Sequence, residues 1–318
     1  MKILETHLKI QQKNLLTLNK EEQMSRHVPV MLNEVIMYLQ LLPRMVIVDC
    51  TLGEGGHSEA ILRKITPGGQ LIGIDQDDDA LSLARLHLSR FDGAFKLFCG
   101  NFQNIKSIVF DTGTDSVDGI LFDLGVSSLQ LSNANRGFSF TENGRLDMRM
   151  DKNAKIDAFD LVNNLSEEEL ANLIYNFGEE RHSRRIAHRI AEQRAHSPIL
   201  NTQQLSKIVV QALPRYRMHR RIHPATKTFM ALRIAVNREL EVLEKGITDA
   251  LGLLKPGGRI CVIAFHSLED RIIKNIFKSQ AKEMKLKILT KKPLVPLQAE
   301  IEHNYKSRSA KLRVAEKQ

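Results

Sequence analysis

The residue types best suited to chemistry gather behind four short apolar runs. Val46-Ile47-Val48 ends at Asp49 and leads into Gly53-Glu54-Gly55-Gly56-His57-Ser58. Glycines so placed let a ligand approach the backbone, and a helix starting there offers unpaired N–H groups to a negative charge. Leu71-Ile72-Gly73-Ile74 ends at Asp75, 19 residues past Gly56, where a carboxylate can accept hydrogen bonds from ribose hydroxyls. Phe95 to Phe98 is followed by Asn101-Phe102, an aromatic in position to stack on adenine, and Val117 to Phe122 ends at Asp123. Loop and acid together point to an adenosine-type cofactor. Ser58 stands where the dinucleotide pattern GxGxxG has its third glycine, which weakens a nicotinamide cofactor.

These residues need a frame that brings strand ends together. Four strands separated by crossovers predict a parallel sheet, with Ala80, Leu83, Ala84 and His87 on one face of the helix after the second strand. From about residue 136 to 220 the rhythm turns helical. Ser166 and Glu169 form a capping box before Leu170, Leu173, Ile174 and Phe177, and Leu205, Ile208, Val209 and Ala212 repeat the spacing after Asn201-Thr202. Phe229, Leu232, Val236, Leu240, Leu243, Ile247 and Leu251 predict one long helix closing at Pro256-Gly257-Gly258. A fifth strand, Ile260 to Ile263, follows, and Lys287–Leu289 and Lys311–Val314 read as two more. The expected architecture is α/β: a Rossmann-like domain of residues 27–135 and 220–318, interrupted by a small helical domain at 136–219.

Composition narrows the partner. The 318 residues carry a net charge of +9 and a sequence pI of about 9.4, which favours a polyanion. Between Arg181 and Arg233 twelve Lys or Arg face one acid, Glu192, so the rest of the chain is slightly acidic. Arg181, Arg184, Arg185 and Arg189 fall on one helical stretch suited to backbone phosphates. The low aromatic content of 5% argues against an extended stacking platform. Cys50, Cys99 and Cys261 lie far apart without a CxxC, against a disulfide framework or zinc site and in keeping with a reducing cytoplasm. No run approaches the roughly 20 apolar residues of a membrane helix. Residues 1–26 are polar and lack a secretory apolar core. Lys20-Glu21-Glu22 can be encoded as a purine-rich ribosome-binding sequence, so Met24 is the expected natural start and the preceding segment is expected to be poorly ordered.

From His27 onward the chain resembles the bacterial RsmH (MraW) family of class I S-adenosylmethionine-dependent methyltransferases. The motifs are His27-Val28-Pro29-Val30, Gly55-Gly56-His57-Ser58, Phe122 to Ser128, Arg136-Gly137-Phe138-Ser139-Phe140 and Leu146-Asp147-Met148-Arg149-Met150-Asp151. His223-Pro224-Ala225-Thr226, Phe265-His266-Ser267-Leu268-Glu269-Asp270-Arg271 and Ser307 to Arg313 complete them. Departures occur at Glu54, Lys227 to Met230, Ala264 and Tyr305-Lys306. The resemblance implies methylation of the N4 amine of a cytidine in 16S rRNA of the small ribosomal subunit. It also implies S-adenosylmethionine contacts at Gly55, Gly56, His57, Asp75, Phe102, Asp123 and Gln130, the last on likeness alone.

Cytidine's exocyclic amine is a weak nucleophile, so such an enzyme must align it with the methyl donor and accept its proton. Asp123 is the expected acceptor, a role that competes with cofactor binding. The base must be unstacked to be reached, and His27, Arg149, His223, Lys227, His266 and Arg271 are the expected substrate-side residues. Two rival readings remain at this point: a non-catalytic ribosome-assembly factor and a nicotinamide dehydrogenase. Gly55, Gly56, Asp75 and Asp123 together disfavour the first, and Ser58 with the basic insert the second.

Overall fold

The computed structural model describes residues 29–214 and 222–318. The polar segment 1–26, the Met24 start and His27 lie outside the described residues. Seven strands form one sheet: β1 (Val46–Asp49), β2 (Gln70–Asp75), β3 (Phe95–Cys99), β4 (Val117–Asp123), β5 (Leu254–Ala264), β6 (Leu286–Ile288) and β7 (Lys311–Lys317). Their order is β3-β2-β1-β4-β5-β7-β6. The first five are parallel, and β7 runs antiparallel to both β5 and β6. The chain winds outward from β1 to β3, then returns to lay β4 against the other side of β1. Loops leaving β1 and β4 therefore diverge, opening a crevice at the carboxyl ends of the strands.

The helices in chain order are α1 (Leu32–Leu39), α2 (Gly56–Ile65), α3 (Asp78–His87), α4 (Ile105–Asp111), α5 (Ser128–Ser132), α6 (Ala158–Asn164) and α7 (Glu167–Gly178). They continue as α8 (Ser183–His196), α9 (Thr202–Ala212), α10 (Thr226–Asn237), α11 (Glu239–Leu253), α12 (Ser267–Lys282) and α13 (Gln298–His303). Ile47, Leu121, Cys261 and Ile263 turn to one face of the sheet and pack with α1, α2 and α3. Val48, Ile120, Phe122, Ile260 and Val262 turn to the other, against α4, α11 and α12. Strand side chains alternate faces, so burial on both sides explains why these strands read as unbroken apolar runs.

A third core lies in the helical region. It joins Phe138, Leu146, Met148 and Met150 to the apolar faces of α6 through α9, and extends past residue 219 to Ala225, Phe229 and Leu232. Gly178, at the end of α7, permits the close approach of α10, because a Cβ there would lie 2.7 Å from the Lys227 carbonyl oxygen.

Two sequence expectations are corrected. The single long helix through Phe229 and Leu251 is two, broken at Arg238, whose φ of 50° is left-handed. Asn237 fixes the break: its Nδ2 donates to the Met148 carbonyl and its Oδ1 accepts from the Met150 N–H, each at 2.8 Å. Apolar periodicity passes through one such residue without a mark, which is why the sequence shows no break. The turn Pro256-Gly257-Gly258 lies within β5 rather than before it, as an irregularity between the pairs Val117–Leu254 and Gly119–Arg259.

Candidate active site

The crevice at the switch point is a cavity of about 750 Å³. Two strand-end acids, Asp75 and Asp123, line it, and Asp49 is buried beside them. Asp49 accepts the Ser58 hydroxyl at 2.7 Å and the Thr51 N–H at 3.2 Å. Burial pushes its carboxyl up to about 6, with Ser58 and Thr51 opposing. Asp75 holds the glycine loop: its two oxygens accept the N–H groups of Gly53 at 2.8 Å and Asp77 at 2.9 Å. Gly55 supplies a left-handed turn at φ 83°, where a side chain would be strained. Gly56 begins α2 and leaves room for Pro29, whose Cγ would lie 2.6 Å from an added Cβ.

His57 and Asp123 meet across the cavity wall. His57 Nε2 bonds the Val30 carbonyl at 3.0 Å, and Nδ1 lies 3.7 Å from Asp123 Oδ2. The Asp123 N–H donates to Thr51 Oγ1 at 2.6 Å. Its Oδ1 is buried with no hydrogen-bond partner. Burial raises this carboxyl well above the usual carboxylate range, and the neighbouring charges of Asp49 and Glu269 add to the effect.

Phe102 packs edge-on against Phe122, with ring centroids 5.3 Å apart, and lines the cavity. Gly246 of α11 makes room for that ring, since an added Cβ would lie 2.6 Å from Phe102 Cδ2. Gln130 reaches the cavity from α5, where its amide oxygen accepts the Ser127 N–H and its Nε2 donates to Asp77 Oδ2 at 3.0 Å. Asp77 also receives Arg136 Nη1 at 2.6 Å, and Arg136 Nη2 donates to the carbonyls of Arg149 and Met150. Burial raises the Asp77 carboxyl, but the bonds from Gln130 and Arg136 outweigh it and hold it below its ordinary value. This triad was missed in the sequence, because Asp77 lies 53 and 59 residues from Gln130 and Arg136.

The wall above β5 is charged. Arg233 grips Glu239 with two bonds of 2.7 and 2.8 Å. Glu269 accepts the Phe265 N–H at 2.8 Å, and His266 caps α12. His266 Nε2 lies 3.2 Å from Glu269 Oε1 but is not aligned for a hydrogen bond. Burial raises the Glu269 carboxyl, yet His266 and Arg233 bring it below its ordinary value. Glu239, His266 and Glu269 offer three ligand atoms within 4.8 Å of one another, but the Arg233 guanidinium already supplies the positive charge that Glu239 pairs with.

Of the expected cofactor residues, Gly56, His57, Asp75, Phe102, Asp123 and Gln130 line the cavity, and Gly55 turns the loop beside it. The expected substrate residues among those described, Arg149, His223, Lys227, His266 and Arg271, do not line it. Arg149 closes on Asp147, with Nε and Nη2 at 2.8 and 2.7 Å. His223 stacks on Phe140 at 4.5 Å. Lys227 donates to the Glu179 carbonyl at 2.6 Å, and Arg271 to the Glu179 carboxylate at 2.9 Å. His266 adjoins the lining residues Phe265 and Glu269 without lining the cavity itself. Arg181, Arg184 and Arg185 are exposed around the start of α8, and Arg189 is exposed beside Glu192. Two arginines of the basic run serve internal purposes: Arg233 in its pair with Glu239, and Arg194 on the carbonyls of Val162 and Leu165.

The profile of the MraW methylase family matches residues 24–318. A ribosomal RNA small subunit methyltransferase H of Geobacter sulfurreducens is 49% identical over 306 residues, covering 92% of this chain and 98% of its own. The proteins of that name from Carboxydothermus hydrogenoformans and Fusobacterium nucleatum are 47% and 46% identical, each across 92% of this chain and across 97% and 96% of their own. With a strand-end cavity of this kind and a match across nearly its whole length, the chain belongs to the MraW methylase family.

Proposed function

We infer that this protein is an S-adenosylmethionine-dependent methyltransferase acting on the N4 amine of a cytidine in 16S rRNA of the small ribosomal subunit. One observation carries the reading: a buried, unpartnered carboxyl oxygen of Asp123 at the tip of β4, in a cavity at the switch point of the sheet. A buried polar atom without a partner calls for one, and a cytidine amine supplies it.

The residues fit the cofactor. Asp75 offers a carboxylate to ribose hydroxyls, Phe102 a ring to adenine, and the loop at Gly55 and Gly56 its backbone. His57, Asp123 and Gln130 complete the lining. Bound here, the cofactor supplies an electrophilic methyl group and a positive charge.

Burial raises the Asp123 carboxyl above the usual carboxylate range, and a bound cationic methyl donor would favour its ionised form. Asp123 then accepts a hydrogen bond from the amine and stabilises the positive charge that develops on nitrogen. The cavity holds the base apart from its neighbours, so the target must leave its stack.

The helical region at 136–219, with α10 completing its core, carries Arg181, Arg184, Arg185 and Arg189 as phosphate contacts that position the RNA. Lys227 and Arg271 meet at Glu179, in the seam between this region and α12, while His223 packs on Phe140 and His266 caps α12. A protein acting on ribosomal subunits would work in the cytoplasm. Transfer of a labelled methyl group onto small subunits lacking the modification tests the reading. Incorporation at cytidine N4 is expected, and no incorporation with intact cofactor binding would refute it.

A further inference from the structure

A base drawn into a cavity brings its flanking phosphates to the mouth, so the groups at the rim must meet them. Among the described residues, two Lys or Arg side chains line this cavity, Arg233 and Lys306. Arg233 is closed on Glu239. Lys306 instead donates to a neutral partner, the Ser128 hydroxyl, at 2.7 Å.

Lys306 belongs to a short 3-10 turn, Tyr305–Ser309, that enters β7. Lys311, the first residue of β7, pairs with Ala264 at the carboxyl end of β5, so the turn stands on the edge of the sheet where the cavity opens. Ser307 anchors it: fully buried, it donates to the Asn304 carbonyl at 2.8 Å. With Ser307 turned inward, Tyr305 and Lys306 face solvent, Tyr305 with 59% of its surface exposed. Side chains three apart eclipse in a 3-10 turn, and the Arg308 guanidinium accordingly lies over the Tyr305 ring at 4.5 Å and donates to its hydroxyl. The ring is thereby braced on one face.

We propose that the turn Tyr305–Ser309 is a second RNA contact at the cavity mouth, with Lys306 taking a phosphate beside the target cytidine and Tyr305, braced by Arg308, stacking a neighbouring unpaired base. A stacked ring beside a lysine is the chemistry by which proteins hold single-stranded nucleic acid. It lies apart from the arginines of α8 and rests on the reading that the substrate is RNA.

The test titrates Tyr305→Ala, Tyr305→Phe and Lys306→Ala against small ribosomal subunits lacking the methyl group, and measures S-adenosylmethionine binding to the same variants by calorimetry. Tyr305→Ala should weaken subunit binding about tenfold while Tyr305→Phe retains it, because a phenyl ring stacks as well. Lys306→Ala should lower the slope of log affinity against log salt by about 0.7, the value for one lost single-strand phosphate contact. Cofactor affinity should not change. Unaltered subunit binding in both alanine variants overturns the proposal. So does weakened cofactor binding in Lys306→Ala, which would make that lysine a clamp on the cofactor carboxylate. Failure of the unsubstituted protein to methylate subunits would remove the functional reading itself, whereas methylation with full subunit binding by both alanine variants removes this inference alone.

Discussion

Arg136→Ala should cost the protein more stability than loss of almost any other single charge. The Asp77 side chain is fully buried and that of Arg136 is 9% exposed, with 2.6 Å between them. Arg136 also satisfies the carbonyls of Arg149 and Met150. Truncating it strands a buried carboxylate, which costs about 3–5 kcal/mol, or about 10 °C in Tm for a chain of this size. The exposed pair of Lys245 and Asp249 makes the comparison, because Lys245→Ala should cost about 0.5 kcal/mol or less. Urea unfolding of both variants measures the difference. The double variant Asp77→Asn/Arg136→Met removes both charges and should regain much of the loss. The Asp77 carboxyl is held below its unfolded value, so its contribution is present above about pH 4 and fades as pH falls through the folded value. Arg136→Ala should flatten that acid limb. An Arg136→Ala protein within about 1 kcal/mol of the parent would refute the reasoning, since a stranded buried charge cannot be that cheap.

Three further outcomes are expected. Asp123→Asn should lower kcat by about 10²- to 10⁴-fold, the range for loss of a proton acceptor, with cofactor affinity retained by calorimetry; loss of cofactor binding would leave the acceptor role without support. For Asp49 the folded carboxyl lies above the unfolded one, at about 6 against 3.8, so stability should fall as pH rises across that window. The total is on the order of 3 kcal/mol, and Asp49→Asn should remove the slope in thermal melts at stepped pH. Gly144→Ala would put a Cβ 1.7 Å from the Ala134 carbonyl oxygen, costing about 3 kcal/mol by overpacking. Gly252→Ala, in α11 with open space around it, should instead gain about 0.5 kcal/mol from reduced freedom of the unfolded chain; urea midpoints compare the two.

The part of the site legible in the sequence is the part that local rules govern. Asp49, Asp75 and Asp123 each end an apolar run, and the end of a parallel strand is where a ligand must sit, so strand reading alone found two acids of the cavity lining, Asp75 and Asp123, and Asp49 buried beside them. Gly55 was legible as a turn. Gly56 was read as ligand access, and the structure adds a packing reason in Pro29. What stayed hidden depends on partners distant in sequence. Nothing near Asp77 announces Arg136, 59 residues on. A charge count treats Arg194 and Arg233 as free cations because it cannot see the carbonyls and carboxylate they serve, even where, as for Glu239, the partner is only six residues away. Arg149 has its partner Asp147 two residues off in the same motif, and only the fold shows that the pair closes on itself.

The position of β7 has a consequence for how the chain holds together. It follows β6 in sequence yet lies between β6 and β5, contributing six residue pairs to β5 from Arg259–Glu316 to Ala264–Lys311. A protease that clipped the chain ahead of Lys311 would thus do more than trim a tail. It would leave β6 with no strand to pair with, bare the hydrogen-bonding flank of β5 as a template for other chains, and cut away the support beneath the cavity rim. Damage at that one spot would convert a folded catalyst into an aggregation seed, so its last strand acts as the clasp that keeps a sticky seam shut.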